Sequence, residues 1–260
     1  MKRILSDFKK YGGYTVYAAK SQLRAEVANS KLNWIWWVLE PFCFMLVYSF
    51  VFGVIFNAAE PHHGLFIFVG LSAWQFFSRC VKHSVGLIKK RRQIIAKVYL
   101  PKYMLVLQEV MVDGFKMLIC MVISAAMVVY YRVGFTKEIF MLVPVLSVLI
   151  LFSFGVSCFV MHAGVYLDDL TNIIDIFMRF LVYFVGVFYS IPKRIPSPYS
   201  DYLSRWNPMA FIVNSVRNIL IYHTPVDYSM LVFWGIVSLL LCYTGVQLIY
   251  KNENSYIKVV

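Results

Sequence analysis

The chain has 260 residues, 60% of them hydrophobic and 15% charged, with a net charge of +12 and a mean hydropathy of +0.68. Globular domains run at about 45–50% apolar and about 25% charged residues, so one water-soluble core of this size cannot bury so much apolar side chain, and the excess must face lipid. The basic residues fall in blocks between apolar runs, which excludes nucleic-acid binding as the meaning of the charge and marks the blocks as topology signals.

Residues 1–33 hold no apolar core long enough for a secretory signal peptide. Ile4, Phe8, Tyr11 and Ala18 fall near helical spacing among Lys2, Arg3, Lys9, Lys10 and Lys20. That pattern predicts an amphipathic helix lying in the membrane interface, with a solvated basic tail as the bland alternative. A membrane-crossing helix needs about 20 apolar residues. Six segments of 34–260, read as one transmembrane domain, approach that length: 34–56, 65–88, 103–131, 139–161, 173–190 and 230–250. Gln75, Arg79, Lys82 and His83 interrupt the second, and the third also carries charge. A five-span or seven-span count rests on a worse segment than any of these. With the N-terminus inside, sixteen Lys and Arg fall in the inner pieces 1–33, 82–102, 162–172 and 251–260. Six fall in the outer pieces 57–64, 132–138 and 191–229. That excess puts both termini in the cytoplasm.

Two connecting pieces carry more than a turn requires. Residues 87–102, LIKKRRQIIAKVYLPK, mix basic charge with Leu87, Ile88, Ile94, Ile95, Val98 and Leu100. A loop that only reverses the chain does not need those apolar residues, whereas a short amphipathic helix docking on a partner does. Pro101 stops it before the next span. Between spans five and six, MAFIVNSVRNILIY (209–222) is too short to cross and too apolar for water. It reads as a re-entrant or interfacial helix, begun by Asn207-Pro208.

No GxxxxGK[ST], HExxH, GxSxG or CxxC occurs, so the chain does not bind ATP through a phosphate loop. The five cysteines lie in apolar stretches and read as small buried hydrophobes. His62 and His63 are adjacent and point to different faces, which suits a loop pair better than a metal site. Charges within spans are more informative. Glu109, Asp113 and Lys116 share one face of the third span, and Asp175 and Arg179 are four apart on the fifth. Each charge at mid-bilayer costs about 2.5–3.5 kcal/mol, so these residues must pair, snorkel or face a wet cavity. Two readings stand: intrahelical pairs Asp113–Lys116 and Asp175–Arg179, or a lining for a transport path.

Aromatic residues make up 18% of the chain. Trp34, Trp36 and Trp37 form a candidate interfacial belt. Phe44, Tyr48, Phe52 and Phe56 recur every four residues on span one. Phe177, Phe180, Phe184 and Phe188, with Tyr183, do much the same on span five. Such rings can stack on the C–H faces of a sliding sugar polymer, or simply pack helices together.

These features resemble the polysaccharide and polyol-phosphate exporter family of ABC-2 type permeases, which serve O-antigen, capsule and teichoic acid export. The resemblance runs over nearly the whole chain. It is carried by WWVLEPFCFMLVYSFVFGVIF (36–56), KKRRQIIAKVYLPK (89–102), and Asn207-Pro208-Met209 with Arg217. Leu100 replaces the family's usual aromatic, and Asp168 stands where the family commonly has Arg.

The resemblance implies an all-α, six-span half-transporter in the bacterial inner membrane. Two copies would line a channel at a two-fold axis and move a lipid-linked glycan polymer. ATP and Mg would be held by two copies of a separate ABC ATPase, with no cofactor or metal on this chain. Lys90, Arg91, Arg92, Ile94, Ile95, Lys97, Val98 and Tyr99 would form the coupling helix that meets the ATPase. The rivals are an ABC-2 permease for drugs or lipids, and a membrane-embedded glycan-assembly enzyme with Asp168 and Asp169 as metal ligands.

Overall fold

Within hydrocarbon a helix satisfies its own backbone hydrogen bonds without help from neighbours. The computed structural model describes residues 2–28, 33–55, 60–97, 99–134 and 136–259, and among them the ordered backbone is helical, with no strand. Five segments are long and apolar enough to cross a membrane: Trp36–Ile55, His63–Val85, Lys102–Tyr130, Lys137–Tyr166 and Tyr228–Tyr256.

Helix α1 (Lys2–Ala28) precedes the first of these. α2 (Trp36–Tyr48) continues into a π-helical stretch, Ser49–Ile55. α3 (His63–Val85) follows, then two short helices, α4 (Leu87–Lys90) and α5 (Arg92–Lys97). α6 (Lys102–Tyr130) and α7 (Leu142–Tyr166, entered through a 3-10 turn) form the next antiparallel pair. α8 (Leu170–Val185), α9 (Ile191–Arg194), α10 (Tyr199–Trp206) and α11 (Pro208–Arg217) lead to the long α12 (Tyr228–Val259).

The core is built around α3. Of its membrane window 83% is buried, against 11% for α2 and its continuation, because α6, α7, α2, α8 and α11 all pack on it. Small residues set the closest approaches. A Cβ on Gly164 of α7 would overlap the Val85 carbonyl at the end of α3. On the other side of α7, a Cβ at Gly155 would lie 2.8 Å from Cβ of Leu241, and one at Gly245 would lie 2.9 Å from Cβ of Cys158. Where lipid tails are as apolar as the side chains, such small-residue seams let helices gain van der Waals contact.

The structure shifts several boundaries. The fifth sequence span, 173–190, becomes the 16-residue α8, which ends where Gly186 takes φ +70° and turns the chain. The single helix expected over 87–102 is broken in two at Arg91, and helix ends at Lys97 rather than at Pro101. Pro101 instead precedes α6 with φ −55° and ψ 125°. On α1 the face turned inward carries Tyr11, Thr15, Ala19 and Gln22, because it lies along α6: Thr15 donates to the Met104 sulfur at 3.7 Å and Gln22 to Glu109 at 2.9 Å. Phe8 and Tyr17 stay exposed, and Ala18 is only half-buried.

Candidate functional site

Two of the aromatic positions of α2 line a groove floored by α3, and α8 borders it through residues that are not aromatic. Phe44 and Tyr48 of α2, Trp74, Gln75, Ser78 and Lys82 of α3, and Met178 and Arg179 of α8 line it. Phe44 stacks near Tyr48, with ring centroids 6.0 Å apart and planes 18° apart. Phe188 closes the top: its ring centroid lies 4.1 Å from that of Tyr48 and 5.2 Å from that of Phe52, in a stacked pair with the latter. Phe188 is buried and backs the wall, whereas Phe177, Phe180, Tyr183 and Phe184 remain more than half exposed on α8. Phe56 lies outside the described residues. Tyr183, Phe184 and Tyr189 continue into a second hollow of about 590 Å³, walled by Tyr199, Tyr202 and Trp206 of α10.

At the end of the bundle bearing α4 and α5, the intrahelical charges enter a network that ties four elements together. Arg91 donates to Gln22 of α1 at 2.7 Å and to Glu109 of α6 at 3.4 Å. Gln108 also donates to Gln22, at 2.7 Å. His83 of α3 pairs with Asp113 at 3.0 Å, and Lys116 reaches Glu26 of α1 at 2.8 Å and Asp113 at 3.7 Å. The expected Asp113–Lys116 pair is therefore present as the longer arm of a larger cluster. The expected Asp175–Arg179 pair is not: Asp175 binds Lys82 across the groove at 2.9 Å. Two helices packed side by side bring these groups closer than four residues of one helix do.

Of the residues expected to meet the ATPase, Lys90 and Arg92 are exposed, Arg91 is half-buried in the network, and Ile95 is buried. Ile94 and Lys97 lie in α5, with side chains outside the described set, as is all of Val98. Tyr99 is exposed and donates to Glu253 of α12 at 3.1 Å. Asp168, placed in the turn before α8, is hydrogen-bonded by Lys89, and that bond with the lysine's charge holds its carboxyl below the usual carboxylate range. Among the described residues no group of three or more His, Cys, Asp or Glu side chains gathers there or elsewhere to hold a metal ion.

The opposite end is organised by Arg217, which sequence reasoning had placed only in a motif. It is 1% exposed. Its guanidinium donates to the carbonyls of Phe66 (3.1 and 3.2 Å), Gly186 (2.8 Å) and Val187 (2.6 Å), and lies 3.5 Å from the Phe66 ring centroid. The planar fork thereby satisfies carbonyls freed where α8 stops. Asn207 begins α11 as expected: its Oδ1 accepts from the N–H groups of Met209 and Ala210, and its Nδ2 donates to the Phe184 carbonyl at 3.2 Å. Glu60, also missed, accepts from Lys193 at 2.7 Å and Tyr222 at 2.8 Å.

Comparison with known proteins decides the family. The sequence profile of the ABC-2 type transporters matches residues 15–221, most of the chain. The chain belongs to the ABC-2 type transporter family. Its curated relatives include an O-antigen export system permease protein of Klebsiella pneumoniae, 25% identical over 227 residues covering 85% of this chain and 86% of that protein. A protein of the same description from Myxococcus xanthus is 22% identical over 98% of both chains. A polysialic acid transport protein of Escherichia coli is 24% identical over 75% of this chain and 76% of its own length. ABC-2 permeases are transport subunits rather than enzymes, and this chain, with its several apolar helices, is a multi-pass membrane protein.

Proposed function

We propose that this chain is the membrane half of an ATP-driven exporter that carries a lipid-linked polysaccharide or polyol-phosphate polymer out across the bacterial cytoplasmic membrane. The observation that carries the reading is the groove over α3, walled by Phe44 and Tyr48 of α2 and by Phe188, beside which α8 exposes four more rings. Flat apolar rings give a polymer many weak, equivalent contacts, which permits sliding. Relatives named for O-antigen export and polysialic acid transport support the same substrate class.

In this reading α8 adds a sixth crossing to the five, the fifth in chain order. Its 16 residues span about 24 Å at 1.5 Å per residue, and the turn through Ser190 with the buried α11 completes the membrane depth. Two copies of the chain enclose the path, each contributing α2 and α8, whose outward apolar side chains stay exposed within one copy. Both termini and α4–α5 face the cytoplasm, in keeping with the basic residues there. A separate ATPase, two copies with their ATP and Mg, docks on α4–α5. Arg91 links that contact to α1 and α6 through Gln22 and Glu109, so closure of the ATPases moves spans as well as the short helices. α1 lies at the inner interface with Phe8, Tyr14 and Tyr17 turned outward.

Tyr48→Ala and Phe184→Ala each remove one ring from the wall. Losing a ring contact of about 0.5–1.5 kcal/mol lowers polymer export about three- to tenfold, read as surface glycan at matched expression, with ATPase co-purification unchanged. Full export by both variants would place these rings in packing or lipid contact and remove the wall.

A further inference from the structure

The charged side chains around the groove and along α6 are paired. Arg79 pairs with Glu40 at 3.0 Å, Lys82 with Asp175 at 2.9 Å, Lys116 with Glu26 at 2.8 Å, Glu109 with Arg91 at 3.4 Å and Asp113 with His83 at 3.0 Å. Arg179, beside them, is not: among the described residues no hydrogen bond or ion pair engages it. Arginine cannot shed its charge by losing a proton, and a cation left in hydrocarbon is strongly disfavoured. Arg179 lies nine residues into α8, about 13 Å from its start, near the middle of that helix.

Its side chain borders the groove, where Gln75, Ser78 and Lys82 of α3 are the other polar lining groups. Lys82 is already shared with Asp175, and Arg79 with Glu40. Three cations therefore stand against two carboxylates, and Arg179 carries the surplus. This part of the groove is small, about 190 Å³, the scale of a compact anion rather than of a length of polymer. A guanidinium fork, an ammonium, a hydroxyl and a carboxamide together offer donors without a free acceptor charge, which is the chemistry that holds phosphate oxygens.

We infer that Arg179, assisted by Lys82, Ser78 and Gln75, binds a phosphate or diphosphate group in the groove between α2, α3 and α8. The inference rests on the export reading for its biological source. A polymer carried on a lipid diphosphate would lodge its anionic joint here while the lipid stays beside α2 and α8. Phosphates within the polymer and phospholipid headgroups present the same chemistry.

The test uses the full chain with its ATPase in phosphatidylcholine nanodiscs, titrated with farnesyl diphosphate. Wild type binds the probe and farnesol does not compete. Arg179→Gln weakens binding tenfold or more, and Arg179→Lys recovers part of the loss because charge returns without the fork. Arg179 is exposed, so neither change disturbs the core, and unchanged melting temperatures verify it. Competition by inorganic pyrophosphate alone assigns the site to polymer phosphates. Competition by added phosphatidylglycerol assigns it to phospholipid, and resistance to both assigns it to the lipid diphosphate.

Equal affinity of wild type and Arg179→Gln overturns the inference. So does an Arg179→Gln variant that loses only its self-association, since the partner is then a carboxylate of a second copy. Surface glycan made by wild type is scored separately: its absence sinks the export reading, whereas its presence with unchanged probe binding in Arg179→Gln sinks only the anion site.

Discussion

Arg217→Leu should lower the melting temperature of the detergent-solubilised protein by on the order of 10 °C. The side chain is buried and donates to three carbonyls, those of Phe66, Gly186 and Val187. Each buried acceptor left without a donor costs about 1–3 kcal/mol. The Phe66 carbonyl keeps its helical partner, so the total falls at about 3–5 kcal/mol. Arg217→Lys should recover a minor part, because one ammonium cannot reach carbonyls on two sides of a plane. The loss would concentrate in α8, its following turn and α11, which Arg217 ties to α3, and limited proteolysis between Gly186 and Asn207 would report it. Wild-type melting of Arg217→Leu would show that these carbonyls find other partners.

The second large effect is expected where α1, α3 and α6 meet. Asp113 has no exposed side-chain surface, and its charge is balanced by His83 and Lys116. Lys116→Leu leaves that carboxylate with the histidine alone and releases Glu26 of α1, a change worth on the order of 3 kcal/mol. Removing both partners is milder than removing one. Asp113→Leu with Lys116→Leu should melt above the Lys116→Leu single variant, giving a coupling of about 1–3 kcal/mol. Strict additivity would show that the two charges are screened from one another and that the cluster is a set of independent contacts. Freed from Lys116, α1 should also become the first segment cut by protease, which links this cluster to the anchoring of the interface helix.

Much of this architecture is legible in the chain because crossing a membrane imposes length and composition. Five of the six apolar segments recur as helices within a few residues of the expected limits, and Asn207-Pro208 opens α11 as its capping chemistry dictates. The fifth segment is shorter than expected because apolarity continues through Val187 and Phe188 although Gly186 has already turned the backbone. Hydropathy has no term for that.

Long-range charge pairing was the least readable part. Asp175 and Arg179 have the spacing of an intrahelical pair, yet Lys82, more than ninety residues away in sequence, takes the carboxylate. Arg217 announces only that a cation sits in an apolar stretch. Its partners are backbone atoms 30 to 151 residues distant, and backbone carbonyls leave no trace in a sequence. Gln22 and Glu26, four apart on an otherwise basic helix, were the available signal for the α1–α6 contact. The aromatic periodicity marks the α2 rings that wall the groove but not the division among the others, in which Phe188 is buried against them while Phe184 is exposed in the second hollow.

The central claim is that this chain is a conduit worked from the cytoplasm through α4–α5. It is tested most directly by placing a cysteine at Arg92, an exposed position, and treating intact spheroplasts and inverted membrane vesicles with a membrane-impermeant maleimide. Arg92→Cys should be labelled in inverted vesicles alone, and bound ATPase should protect it. Labelling in intact spheroplasts would put the docking helices on the wrong side of the membrane and contradict the account.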